Sequence, residues 1–182
     1  MARYGMLIDA ERCTGCAACR LACQMQWQLP PQRYYNRLEF RESGTYPKVK
    51  QDIVPVQCMH CDNAPCLTVC PTSATYKRAD GLVLIDHDKC IGCKYCMAAC
   101  PYDVRQINEK GVPEKCRFCA DYAMQGETPP CASTCMNDVR IFGDLDDPNS
   151  KISKKLKQVE TYQLAAHHGT KPRIYYVKGG IK

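Results

Sequence analysis

The chain has 182 residues, 16 of them cysteine, with 25 Lys and Arg against 19 Asp and Glu for a formal net charge of +6. Cysteine makes up about 9% of the chain, and without it the hydrophobic share falls from 45% to about 36%, with three Phe and one Trp. That supply is thin for an apolar core, so something besides apolar burial must tie the chain together. The length also leaves no room for a large catalytic domain beside the cysteine framework.

Met1–Asp9 has no apolar stretch, small-residue cleavage site or twin-Arg pair, so no export signal of its own is expected here. Leu7-Ile8-Asp9 reads as a short strand ending in an acidic turn. The first cysteine group follows, Cys13, Cys16, Cys19 and Cys23, spaced C-x2-C-x2-C-x3-C. Gln24–Lys50 is polar and aromatic, with Trp27, Tyr34, Tyr35, Phe40 and Tyr46. It is too long for a bare connector, and packing against another subunit is the expectation, with a simple cover over its own chain as the alternative. The second group is Cys58, Cys61, Cys66 and Cys70, then Pro71. Leu82–Ile85 is the longest aliphatic run, far short of the roughly 18 residues that span a bilayer.

The third group, Cys90, Cys93, Cys96 and Cys100, repeats the first spacing and is followed by Pro101. The fourth is Cys116, Cys119, Cys131 and Cys135, interrupted by the turn Gly126-Glu127-Thr128-Pro129-Pro130. Residues 150–166 place Ile152, Leu156, Val159 and Leu164 along one helical face, with lysines outside. His167-His168 reads as a solvated pair, and Ile174–Val177 as a terminal strand.

The third group with Pro101 matches the bacterial ferredoxin run for 4Fe–4S ligation. Thiolates at i, i+3 and i+6 let a short loop wrap three corners of one cubane. Gly15 and Gly92 sit in those loops, where the backbone needs positive φ or a close approach to sulfide. Pro71 and Pro101 stop a helix from continuing. Structural zinc takes two CxxC-like pairs, and a CxxCxxC triple suits it poorly. Without an export signal, a disulfide scaffold is disfavoured. The radical-SAM spacing C-x3-C-x2-C is absent.

A shift of 77 lays the first group on the third, carrying Leu7-Ile8-Asp9 onto Leu84-Ile85-Asp86 and Gly15 onto Gly92. The second and fourth groups form another related pair, each with a proline before its third cysteine, Pro65 and Pro130, and with Thr75-Tyr76 and Ile141-Phe142 beyond. This order resembles a duplicated two-cluster ferredoxin. The resemblance implies an α+β fold of small strands and short helices around four 4Fe–4S clusters. It implies an inner unit at 53–107 nested in an outer unit of 1–52 and 108–182. With the fourth cysteine of each run crossing to its partner, the implied sets are Cys13, Cys16, Cys19 and Cys135; Cys23, Cys116, Cys119 and Cys131; Cys58, Cys61, Cys66 and Cys100; and Cys70, Cys90, Cys93 and Cys96.

More widely, the chain resembles the four-cluster electron-transfer subunits of complex iron–sulfur molybdoenzymes, with the polysulfide and thiosulfate reductase branch nearest. Beyond the cysteines, the likeness covers Tyr4–Asp9, Gln57–Cys61, Asp80–Val83, Cys100–Asp103, Lys115–Cys119, Phe142–Pro148 and Gly169–Arg173. Cys93 fills a position that the nitrate reductase branch gives to Trp. The resemblance implies that the Cys13 set sits nearest a molybdenum or tungsten bis-pterin catalytic subunit. The Cys90 set then sits nearest a quinone-reactive integral membrane subunit. It further implies a non-catalytic chain with no nucleic-acid partner and no membrane span of its own. Such a chain would be held at the membrane by its partner, on the periplasmic face, after export with a signal-bearing subunit. A free soluble polyferredoxin is the alternative. Lys94, Lys115, Arg117 and Arg105 flank ligands, and each either raises a cluster potential or is simply solvated. His60 either hydrogen-bonds a sulfur or packs. Four oxidised clusters at about −2 each would turn the formal +6 into a small negative charge, so the basic excess reads as compensation for buried clusters. The apoprotein is not expected to fold.

Overall fold

The computed structural model describes residues 2–179. Its helices are short: α1 (Ala18–Gln26), α2 (Pro65–Thr68), α3 (Tyr95–Ala98), α4 (Ala120–Met124), α5 (Pro130–Ser133) and α6 (Lys151–Leu156). The strands are β1 (Tyr4–Ile8), β2 (Asn36–Thr45), β3 (Lys48–Gln57), β4 (Thr75–Lys77), β5 (Val83–Ile85), β6 (Gln106–Ile107), β7 (Pro113–Glu114), β8 (Arg140–Asp144), β9 (Thr161–Tyr162) and β10 (Ile174–Val177). This is a mixed fold of small sheets and short helices.

The largest sheet runs β8-β1-β10-β9, with β1 antiparallel to β8 and parallel to β10. Both faces of β1 are covered, which is why it reads as an unbroken apolar run rather than an alternation. Met6 and Ile8 join Ile174, Tyr176, Val54, Val56, Met59 and Phe118 on one side. Leu7 packs with Ile141, Ile152 and Val177 on the other.

The duplication expected from the cysteine spacing reappears in the backbone. In β8–β1, Arg140 pairs with Ile8 and Ile141 with Leu7; in β4–β5, Thr75 pairs with Ile85 and Tyr76 with Leu84. The next bond also matches, from Asp9 N–H to Val139 O and from Asp86 N–H to Ala74 O, both 2.8 Å. Gly15 and Gly92 have φ of +71° and +70°, and the residues just before α1 and α3, Ala17 and Lys94, have +60° and +64°. Each loop thus makes the same left-handed turn into its helix. The helices then differ. After Cys23, α1 runs on to Gln26, whereas α3 stops at Ala98, because Pro101 follows the equivalent Cys100.

Two regions differ from expectation. The helix expected over 150–166 ends at Leu156. Ser150 caps its start by accepting from the Ser153 amide at 3.1 Å. Beyond it, Thr161 and Tyr162 join the edge of β10, a pairing that overrides the helical spacing. Leu164 packs in a different cluster from Ile152. Second, residues 36–57 form one long hairpin, β2–β3, so the boundary expected at 52/53 falls inside a strand. The hairpin base covers the first cysteine loop, where a Cβ on Gly15 would meet Ile53 at 3.0 Å and Phe40 at 3.4 Å. Its far end is open to solvent, with Tyr46 93% exposed.

Candidate functional site

All sixteen cysteines are free, and they gather in fours. Cys13, Cys16, Cys19 and Cys135 line one small cavity, with Leu38 and Pro55 from the hairpin above. Cys23, Cys116, Cys119 and Cys131 line a second. Cys58, Cys61, Cys66 and Cys100 line a third. Cys70, Cys90 and Cys93 are the thiols whose charge bears on Cys96. These are the four sets that the ferredoxin resemblance implies, and each draws its fourth member from the partner run.

The local backbone explains the gathering. In each C-x2-C-x2-C loop the positive-φ glycine and the residue before the helix turn the chain around the cavity, and the third cysteine rides on the first helical turn. In the other runs Pro65 and Pro130 open α2 and α5, whose first turns carry Cys66 and Cys131. His60 and Phe118 take positive φ, +44° and +53°, at equivalent places in the two C-x2-C loops.

Burial dominates the electrostatics, and the neighbours of each thiol belong mainly to its own set. Burial, then Cys131 and Cys119, pushes Cys23 up to about 12. Burial, then chiefly Cys58, pushes Cys61 up to about 12. Cys119 is pushed up to about 12 by burial and Cys131. Burial works to raise Cys70, but backbone and hydroxyl hydrogen bonds from Thr75 and Thr72 bring it below the ordinary thiol value. Four thiolates cannot share such a cavity unless cationic metal neutralises them. Yet among the described residues no three Cys, His, Asp or Glu side chains are close enough to hold a single ion. Sulfurs spread around a cavity, rather than converging on a point, fit a polynuclear cluster.

Electrostatic influence between sets orders them in a row. Cys131 is raised by Cys19 of the Cys13 set as well as by burial. Cys116 is raised by Cys58 of the third set, after burial and its own partners. Arg105 faces both Cys66 and Cys96, joining the third set to the fourth. Exposed cysteines occur only in the end sets, Cys16 in the first and Cys93 in the fourth.

The basic residues singled out beside the ligands sort differently from one another. Lys115 and Arg105 are buried, at 3% and 4% exposure, whereas Lys94 and Arg117 are not, the latter lying over the Trp27 ring. His60 packs: it stacks on Phe118 with centroids 4.1 Å apart and accepts from the Val83 amide at 3.1 Å. Among the described residues neither of its ring nitrogens bonds a sulfur. Arg140, not singled out from the sequence, is buried between the first two sets. Nothing in the sequence marks it, because it is one of two charged residues in the strand Arg140–Asp144. His167 and His168 are exposed, as expected.

Comparison with known proteins decides what these sets hold. Residues 49–145 and residues 12–74 each match a family of 4Fe–4S dicluster domains. A polysulfide reductase chain of Wolinella succinogenes is 40% identical over 99% of this chain and 98% of its own length. The chain belongs to this iron–sulfur family. Other members include a tetrathionate reductase subunit of Salmonella typhimurium, 40% identical over 96% of this chain and 72% of its own. The arsenate respiratory reductase iron–sulfur subunit of a Shewanella strain is 34% identical over 99% and 98%. As a member of this family, the chain is a non-catalytic electron-transfer subunit carrying four 4Fe–4S clusters. No helix of the described residues is long and apolar enough to cross a membrane.

Proposed function

We propose that this iron–sulfur subunit relays electrons along the row of four cysteine sets, between a quinone-reactive membrane subunit and a molybdenum or tungsten bis-pterin subunit. The ligands of the four clusters are Cys13, Cys16, Cys19 and Cys135; Cys23, Cys116, Cys119 and Cys131; Cys58, Cys61, Cys66 and Cys100; and Cys70, Cys90, Cys93 and Cys96. Two ferredoxin-like units carry them in pairs, the inner at 53–107 and the outer made of 1–52 and 108–182, with the β2–β3 hairpin running across the first boundary. The observation that carries this reading is the row itself, buried in the middle and exposed only at Cys16 and Cys93. When bound, the clusters supply one-electron chemistry. The chain holds them at fixed spacing and keeps water from the inner two. It also leaves one end of the row accessible to each partner. The names of the relatives, reductases of polysulfide, tetrathionate and arsenate, support anaerobic respiration on a sulfur compound or related oxyanion. The subunit is then held at the membrane through its partner, on the periplasmic face.

Changing Cys93 to Ser tests the placement. Quinol-linked turnover of the purified complex is expected to stop, while turnover driven by a reduced dye at the other end persists. Unimpaired quinol turnover would place the membrane partner elsewhere. Elution of the native protein alone, without a molybdenum or tungsten chain, would instead favour a free carrier.

A further inference from the structure

Three buried cations at the centre of the chain fall into a pattern. Arg140, Lys115 and Arg105 are 4%, 3% and 4% exposed. Their hydrogen bonds go to carbonyl, hydroxyl and thioether groups rather than to carboxylates. The chain does pair a buried guanidinium elsewhere, because Arg173, 5% exposed, holds Asp62 at 2.6 Å. An unpaired buried cation is costly unless something nearby carries the opposite charge.

The opposite charges are cysteine sulfurs, and they come from two sets each time. Arg140 lines the cavity of the first set, and the charges that bear on it are those of Cys131 and Cys116 of the second set, Cys19 of the first and the Tyr176 phenol. Arg105 lines the cavity of the third set, and the charges that bear on it are those of Cys66 and Cys58 there and Cys96 of the fourth. Lys115 adjoins Cys116 of the second set and bears on Cys66 of the third. The two arginines reach equivalent places by different routes. Arg140 stands on β8 opposite Ile8, where the matching ladder has Thr75 opposite Ile85. Arg105 comes from a loop and donates to that Thr75 hydroxyl at 3.4 Å. The remaining partners are neutral: Arg140 donates to the Gln57 side-chain carbonyl and Lys115 to the Val83 carbonyl. One guanidinium nitrogen of each arginine, Nη2, has no oxygen or nitrogen partner among the described residues.

We propose that Arg140, Lys115 and Arg105 tune the potentials of the row, with one buried cation at each of its three junctions. Each favours the reduced, more negative form of the two clusters beside it. This inference rests on the cluster assignment proposed above.

The test is an EPR-monitored redox titration of the full chain loaded with its clusters. In Arg140→Met, two of the four midpoint potentials are expected to fall, with at least a tenfold drop in the reduced-to-oxidised ratio at fixed potential, about 59 mV for one electron. The other two stay in place, and Arg140→Lys, which keeps the charge, stays near the unaltered chain. Gln57→Glu is a second route to the same result, since it sets a carboxylate of the same shape against Arg140 and cancels its charge. Arg105→Met is expected to move the complementary pair. Full iron content with unmoved potentials in these variants overturns the proposal. Iron loss in all three charge-cancelling variants also overturns it, because the cations would then be holding the fold rather than tuning it. Fewer than four clusters in the unaltered chain would mark failure of the assignment instead.

Discussion

Around Cys90, Cys93 and Cys96 the chain supplies two three-residue strands, β4 and β5, and two four-residue helices, α2 and α3. Around Cys13, Cys16 and Cys19 the matching ladder is widened by β10 and β9, backed by α6 and roofed by the β2–β3 hairpin. The cysteine geometry and strand register are alike, and both ladders bury apolar residues on both faces, Leu84 in the main core and Val83 beside Cys66 and Cys96, but only the second half extends its ladder into a four-stranded sheet. The smaller half leans on the main core through Leu82, Leu84, Tyr102 and Val104, while its other face packs Val83, Leu67, Val69 and Met97 around its own cysteines. The same ligand framework is therefore built on a ladder of three residue pairs in one half and on a four-stranded sheet with added cover in the other, so the larger half has more packing that does not depend on its cluster.

Removing the iron anaerobically with a chelator should break that comparison most sharply. Amide exchange at 75–77 and 83–85 is expected to lose its protection first and completely. Protection at 6–8 and 174–177 goes later, because those strands keep apolar cover when sulfur ligation is lost. Equal loss in both ladders would show that the larger core has no stability apart from the clusters.

A smaller effect is expected where the halves are stitched together. Arg173 enters β10 from the larger half and reaches across to Asp62 through Nη2 at 2.6 Å and Nε at 2.8 Å, and to the Asp80 carbonyl at 2.8 Å. The backbone follows, with the Asp62 amide on Lys171 O and the Arg173 amide on Met59 O, both 2.9 Å. Burial works to raise the Asp62 carboxyl, but hydrogen bonds from Arg173 and Lys77 hold it below the ordinary carboxylate range. A depressed carboxylate stabilises the folded state above its unfolded value and loses that effect as pH falls through its folded value. Asp62→Asn is therefore expected to cost about 1–2 kcal/mol at neutral pH, toward the low side because Asp62 is 33% exposed. The gap between variant and parent should close on acidification below the ordinary carboxylate range. A gap independent of pH would mean that the carboxylate charge contributes nothing to the tie.

The sequence told most where chemistry constrains spacing. The sixteen cysteines, their grouping, both glycine turns and the strands at Leu7-Ile8, Leu84-Ile85 and Ile174–Val177 could all be read from it, because ligand geometry allows few alternatives. What it concealed depends on contacts between distant segments. Arg140 in a five-residue strand carries no mark of its place between two cysteine sets; that place follows from the register of β8 on β1. The hairpin at 36–57 mixes charges with Leu38, Phe40, Ile53 and Val54, so its half-covered alternation passes for irregular polar chain. The short α6 followed a helical spacing until the edge of β10 offered Thr161 and Tyr162 a better partner. The stretch Gly169–Arg173, noticed as part of a resemblance, has its physical reason in the tie to Asp62.

The smallest expected difference compares the two loops directly. Gly15 and Gly92 share a φ near +70°, so alanine at either costs roughly 1 kcal/mol in backbone strain. The surroundings then separate them. A Cβ at 15 would press on Ile53 Cδ1 at 3.0 Å, the free end of a side chain in the hairpin roof, which can turn to another rotamer. A Cβ at 92 would press on the Gly111 carbonyl oxygen at 3.2 Å, and backbone cannot turn away without moving the chain. Although the gap at Gly15 is the narrower, Gly92→Ala is expected to be worse by a few tenths of a kcal/mol. The readout is the temperature at which the visible iron–sulfur absorbance is lost. If Gly15→Ala proves worse, the hairpin roof is rigid, and the larger half owes part of its stability to that cover rather than to the sheet beneath it.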